Sequence, residues 1–348
     1  MKIAFLTDTH FGARNDSAQF NAYFERFYSE VFFPYLDEHQ IKTVIHLGDI
    51  FDRRKYINFQ ILASCKKYFF EEMKKRGIDM MIIPGNHDTY YKNTNEINSL
   101  ELLLKEYDNI QIINEPCQQV VAGRIVTFSP WICDQNFDKS LEVLKLPSDF
   151  CIGHFEIAGF NMNLGVKNEE GMSREMLSHF PSVFTGHFHH RSAEDNIYYL
   201  GSPYEFTWAD HNDPRGFHIF ETSNYELTFI QNPNKIFHKI YYDDTKEMNL
   251  DATQYKKSCV KVVVAHKNDF LKFDKFIEDL YLNEVIELTI HEDFSEFETQ
   301  AIDDGNANVE DTMTLLSQFV DSIETTKNKE RLKTLLKTLY IEAQNIET

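Results

Sequence analysis

The chain has 348 residues, 42% of them apolar and 26% charged, which suits one large globular domain or two to three smaller ones. No apolar run reaches the roughly 18 to 20 residues of a membrane span, the opening MKIAFLTDTHFG has no signal-peptide core, and a cytoplasmic protein is expected. A net charge of −20 argues against holding nucleic acid by bulk electrostatics alone, and five scattered cysteines without a CxxC argue against a disulfide framework or a thiolate zinc site.

In chain order, KIAFLTDTHFG is the first of five segments with one grammar: a short apolar strand runs straight into a polar loop bearing glycine or histidine. The others are TVIHLGDIFDRR, MMIIPGNHDTYY, DFCIGHFE and SVFTGHFHH. Continuous apolar strands of this length suit a sheet covered on both faces. Between the early strands the spacing predicts helices. Residues 17–39 put Phe20, Tyr23, Phe24, Phe27 and Val31 on one face, and residues 58–76 and 96–107 follow more weakly. Strand and helix alternate, so the first part of the chain reads as a layered α/β sandwich.

After Gly201 the pattern changes. GFHIFETSNYELTFIQN and KIFHKIYYDD predict antiparallel strands. CVKVVVAH, the helical NDFLKFDKFIEDLYL and VIELTIHED predict a β-α-β unit, and with it a small α+β cap over 241–295 behind a main domain over 1–240. An acidic, polar stretch at 296–309 reads as a linker. Residues 310–348 hold two amphipathic helices, one carrying Met313, Leu316, Val320 and Ile323, the other Leu332, Leu335, Leu336, Leu339 and Tyr340.

The strand ends supply Asp8, His10, Asp49, Asn86, His87, His154, His187 and His189. In α/β sheets ligands bind outside the carboxyl ends of the strands, so these loops can converge. Each alone is ordinary turn chemistry or a satisfied core histidine. Five such loops offering only carboxylate, imidazole or carboxamide are not. The set fits two metal ions sharing one bridging carboxylate, and without thiolates it suits Mn²⁺, Fe²⁺ or Zn²⁺; Mg²⁺ rarely takes so many imidazoles. One ion takes Asp8, His10 and His189, the other Asn86, His154 and His187, and Asp49 bridges. An extended backbone would aim His187 and His189 the same way and His190 the other, as a non-ligand. His87 is placed as an acid beside the substrate, Asp52 as the group orienting its imidazole, and Arg53 or Arg54 as a clamp on a phosphate oxygen.

The ordered motifs DTH at 8–10, GDIFD at 48–52, GNHD at 85–88, GH at 153–154 and GHFH at 186–189 resemble the calcineurin-like metallophosphoesterase superfamily. The resemblance implies a four-layer α/β/β/α sandwich, a dinuclear site and the same pairing of ligands with ions, and it underpins that pairing. MKIAFLTDTHFG, GDIFD, IPGNHD, YYLGSPYEF and RGFHIFE narrow the likeness to the nuclease subunits of SbcCD-type DNA repair complexes, and within them to those of T-even-type phages. That likeness implies Mn²⁺-dependent exo- and endonuclease action on DNA, with Mg²⁺ admitted. It also implies a homodimer and an SMC-like ABC ATPase partner with a long coiled coil, bound through 310–346. A phage-encoded chain would work in the host cytoplasm. Asp52 stands where some members of the wider family carry histidine, and no basic DNA-binding tail is present. A phosphatase or cyclic-nucleotide phosphodiesterase of the same fold is the alternative, and it would have no use for the C-terminal extension.

Overall fold

The computed structural model describes residues 1–163, 165–247 and 250–292, with Val320, Lys329 and Lys333. In chain order its strands are β1 (Lys2–Leu6), β2 (Thr43–His46), β3 (Asp79–Ile82), β4 (Ile110–Ile112), β5 (Cys117–Val121), β6 (Arg124–Ser129), β7 (Phe150–His154), β8 (Asn161–Asn163), β9 (Val166–Lys167), β10 (Val183–Gly186), β11 (Ser192–Glu194), β12 (Ile197–Tyr199), β13 (Gly216–Glu221), β14 (Glu226–Gln231), β15 (Phe237–Asp243), β16 (Cys259–His266) and β17 (Glu287–Glu292). One six-stranded sheet has the order β14-β13-β1-β2-β3-β4 and the other β11-β12-β10-β7-β6-β5. Strands β1 to β4 are parallel, as are β12, β10, β7 and β6; the antiparallel pairings lie toward the edges.

The apolar runs follow from burial on both faces. Along β1, Phe5 points between the sheets while Ala4 and Leu6 point at the helices, as the two-residue period of a strand requires. Phe5, Phe150, Phe184 and Phe220 fill the space between the sheets, with Phe5 4.9 Å from Phe184 and 5.5 Å from Phe220. A third apolar cluster, including Leu144 of helix Phe137–Leu144, backs the second sheet. Three interlayer cores make four layers, α/β/β/α.

The helix expected at 17–39 runs from Ala18 to Glu38, capped by Ser17, whose hydroxyl accepts from the Phe20 N–H. It is broken by a π turn at Tyr28–Phe32. A second π turn, Lys66–Phe70, interrupts the 58–76 helix. Each inserts about one residue and rotates the apolar face. Tyr28 and Phe69 then meet at 4.7 Å. The 96–107 helix is shorter than expected, Ser99–Leu103.

The cap corrects one expectation. Strands β13 and β14 are antiparallel as expected, but β15 pairs in parallel with β16, in a three-stranded sheet ordered β15-β16-β17. Helix Phe270–Leu282 connects β16 to β17. A run of alternating residues fits either direction, so the sequence could not choose. The boundary expected at 240/241 falls inside β15. The chain separates into Met1–His291 and Glu292–Thr348. The acidic stretch at 296–309 lies outside the described residues, as does nearly all of the helical segment 310–348. Among the described residues no helix is long and apolar enough to cross a membrane.

Candidate dinuclear metal centre

The loops after β1, β2, β3, β7 and β10 converge. The first two are laced by main-chain bonds, Asp8 N–H to Gly48 O at 3.0 Å and His10 N–H to Asp49 O at 3.1 Å. Asp8, His10, Asp49 and His187 all have positive φ, at 51°, 41°, 56° and 90°. Such conformations cost of order 1–3 kcal/mol each and collect at functional sites. Two glycines make room for them. A Cβ on Gly48, itself at φ 101°, would stand 2.7 Å from His154 Nδ1; one on Gly85 would stand 2.2 Å from an Asp49 carboxylate oxygen. The positive φ of His187 also corrects an expectation. The backbone is not extended there, because β10 ends at Gly186.

Two groups of ligand-type atoms result. In the first, Nε2 of His10 and Nε2 of His189 face each other at 3.0 Å, with Asp8 Oδ1 3.9 Å from the former and 4.0 Å from the latter. In the second, Asn86 Oδ1 lies 3.1 Å from His154 Nε2 and 2.9 Å from His187 Nδ1. Asp49 Oδ2 stands between the groups, 3.3 Å from His154 Nε2 and 3.7 Å from His10 Nε2. Nδ1–H of His154 donates to Leu47 O at 2.7 Å, which leaves Nε2 to face the site.

The donor set fits a pair of divalent cations. Two imidazole Nε2 atoms at 3.0 Å without a cation leave at most one proton between them. Burial opposes a charge on His154, yet the neighbouring carboxylates of Asp49 and Asp8 outweigh it and raise its pKa to about 9. The site attracts positive charge. Asp8, His10, Asp49 and His154 are all buried, in an environment where isolated carboxylates are costly and a metal would compensate them.

Asp88 is a site residue that the reading of the sequence passed over. Its carboxylate accepts from the N–H groups of Asp49 at 2.8 Å, Gly85 at 2.9 Å, Ile50 at 3.1 Å and Phe51 at 3.3 Å. It thereby ties the Asp49 loop to the Asn86 loop. Burial, helped by Asp49, pushes its carboxyl up to about 7 against the pull of those donors. The fourth letter of GNHD was the available signal. Arg215 was also missed. It is buried between Asp210 at 2.7 Å and Asp213 at 2.8 Å and donates to the His189 carbonyl. The third omission is Trp131, whose ring lies 5.3 Å from that of His187. It follows the carboxyl end of β6, the position that betrayed the other site residues.

The remaining expected residues divide. His87 lies edge-on to His10 at 4.8 Å, and its backbone N–H donates to Asp49 Oδ1 at 2.7 Å. Its Nδ1–H donates at 2.6 Å to the main-chain carbonyl of Asp52, not to that residue's carboxylate. The Asp52 carboxylate stands instead 3.6 Å from His10 Nδ1. The sequence could not tell carboxylate from carbonyl. Arg53 is not free to clamp a phosphate, since its guanidinium binds Asp16 at 2.9 Å and Asn15 at 2.9 Å. Nη1 of Arg54 is buried without a hydrogen bond among the described residues. His190 turns away to Asp213 at 2.9 Å.

Set beside known proteins, residues 1–213 match the family described as calcineurin-like phosphoesterase. Exonuclease subunit 1 of Enterobacteria phage T4 is 29% identical over 351 residues, covering 99% of each chain. An SbcCD nuclease subunit of Staphylococcus saprophyticus is 23% identical over 235 residues, which cover 64% of this chain and 55% of that one. An archaeal phosphodiesterase of solved structure covers 67% of this chain and 100% of its own, with 14% identity and a TM-score of 0.34, too low to carry an argument. The family match spans well over half of the chain, including every candidate ligand; the protein therefore belongs to the calcineurin-like phosphoesterases, a family of metal-dependent enzymes.

Proposed function

We propose that the chain is the nuclease subunit of a DNA recombination or repair complex and hydrolyses phosphodiesters at two divalent cations, Mn²⁺ by preference with Mg²⁺ as substitute. The observation that carries this is the likeness to Exonuclease subunit 1 along 99% of both chains, extension included. In this reading Asp8, His10 and His189 would hold one cation, Asn86, His154 and His187 the other, and Asp49 would serve both. When bound, the cations supply Lewis-acid stabilisation of the phosphoryl oxygens and a nucleophile drawn from water at neutral pH.

The protein's own groups do the rest. A carbonyl can only accept, so the bond to Asp52 O fixes the His87 proton on Nδ1 and leaves Nε2 as the nitrogen that gains and loses a proton. Protonated His87 then delivers that proton to the leaving 3′ oxygen. Asp52 takes part through this carbonyl. Arg53 reaches a phosphate oxygen only by exchanging Asp16 for it, one anion for another. The net charge of −20 leaves DNA affinity to a partner, and we assign that role to an SMC-like ABC ATPase held by residues 310–346. The helices over 58–76 or 96–107 are proposed to form a homodimer.

Cleavage of labelled single- and double-stranded DNA in Mn²⁺, lost in both Asp49→Asn and His87→Ala, is the expected result. Fast hydrolysis of an aryl phosphate monoester with DNA untouched would instead make the chain a phosphatase.

A further inference from the structure

An apolar cavity of about 430 Å³ opens beside the second ligand group. Trp131, Ile132, Phe137, Met172 and Met176 line it, and His154 forms the wall it shares with the metal centre. Trp131 belongs to both regions, with ring centroids 5.3 Å from His187 and 6.1 Å from His154. Its main chain is held firmly. The backbone N–H donates to Pro84 O at 2.9 Å, and the carbonyl accepts from the side-chain amides of Asn95 at 2.9 Å and Asn136 at 3.0 Å. Phe137 and Met176 are 50% and 39% exposed on the outer wall. Nothing in phosphoester cleavage itself requires an apolar chamber at that point.

We propose that this cavity receives one unstacked nucleobase, that of the nucleotide which keeps the phosphate after cleavage. The inference rests on the proposed nuclease reading for its substrate class. Its geometry comes from the site. In-line displacement puts the attacking and leaving oxygens at opposite poles of phosphorus. His87, the proposed acid toward the leaving oxygen, packs against His10 in the first ligand group and does not line the cavity. The leaving nucleoside therefore lies toward His87; the retained nucleoside hangs from an equatorial oxygen and can turn away from His87, toward the second group and the cavity beside it. A base is flat and wants a flat partner; the indole edge of the chamber and the thioether and phenyl walls provide one. The lining is nearly all apolar, so it grips any base by its faces and reads no sequence. A duplex must give up one stacked pair to fill it, at a cost of a few kcal/mol. Single strands and frayed ends are accordingly better substrates than closed duplex.

The test uses small diesters that separate the base from the DNA. Thymidine 5′-(p-nitrophenyl phosphate) carries a base on the retained side; the p-nitrophenyl diester of deoxyribose 5-phosphate is the same molecule without it. In Mn²⁺ the base should improve kcat/KM by about tenfold, chiefly through KM. The advantage should vanish in Phe137→Ala/Met176→Ala, whose changes lie on the exposed wall, and in Trp131→Ala. Without metal, thymidine 5′-phosphate should quench the Trp131 fluorescence of a Trp208→Phe chain, and deoxyribose 5-phosphate should not. Equal rates with and without the base, or an advantage that survives the wall substitutions, overturns the proposal. A base advantage in a chain that leaves DNA uncut keeps the cavity assignment and removes the nuclease reading.

Discussion

The two halves of the candidate metal centre are built to different standards. In the half with Asn86, His154 and His187, Nδ1 of His154 is pinned by Leu47 O and both imidazoles meet the Asn86 carboxamide oxygen. In the half with Asp8, His10 and His189, Nδ1 of His10 has no hydrogen bond among the described residues, and the His189 side chain is 32% exposed. His10 is positioned by packing, edge-on to His87 and to Phe206. Outer hydrogen bonds orient ligands and raise affinity. Two sites of one chemistry should thus differ in strength, the pinned half binding first.

The largest effect should erase the difference. Asp49 serves both halves, and Asp49→Asn should lower DNA cleavage by roughly 10³ or more, with metal content falling from two ions toward one by elemental analysis. His87→Ala should cost about 10² to 10⁴ in kcat while both ions stay bound, which separates the acid from the ligands. The comparison is sharpened by titrating Mn²⁺ calorimetrically into His154→Ala and His189→Ala. The first should lose the tight step and the second the weak one, and the reverse pattern would invert our ranking of the halves. Asp88→Asn should weaken both steps by about 10- to 100-fold, since it loosens the loops and leaves the ligands in place.

The smallest effect lies away from the centre. Burial holds His218 down to about 3, so the folded chain keeps it neutral where the unfolded chain would be protonated. Its contribution is complete above about 6.5, the ordinary histidine value, and is lost as pH falls from there toward 3, by at most about 1.4 kcal/mol per pH unit. His218→Phe should flatten the acid limb of the stability profile and leave the metal titration unchanged.

Much of this was legible in the sequence because strand ends announce themselves. An apolar run that stops at Gly-His or Gly-Asp marks both the strand and the residue it delivers, so Asp49, His154 and His187 stood out at their strand ends. What was not legible depends on backbone groups. Asp88 works through N–H groups belonging to residues up to 39 positions away, and those carry no letter in the sequence. Nδ1 of His87 chose a carbonyl over the carboxylate of the same residue. The direction of β15 is set by its neighbour β16, not by its own alternation. Trp131 sits in no polar motif, and a search for polar groups at strand ends passes over an indole.

Asp88 also sets a clock. Three N–H groups of the Asp49 loop share its one carboxylate with Gly85 of its own loop, so parting the two loops means releasing the bonds to Asp49, Ile50 and Phe51 together. Exchange of a cation bound there should then wait on a rare local opening and not on the bare dissociation of a ligand. A chelator should strip a cation bound beside Asn86 at a rate that levels off with chelator concentration, and the amides of Asp49, Ile50 and Phe51 should trade hydrogen for deuterium at that same limiting rate.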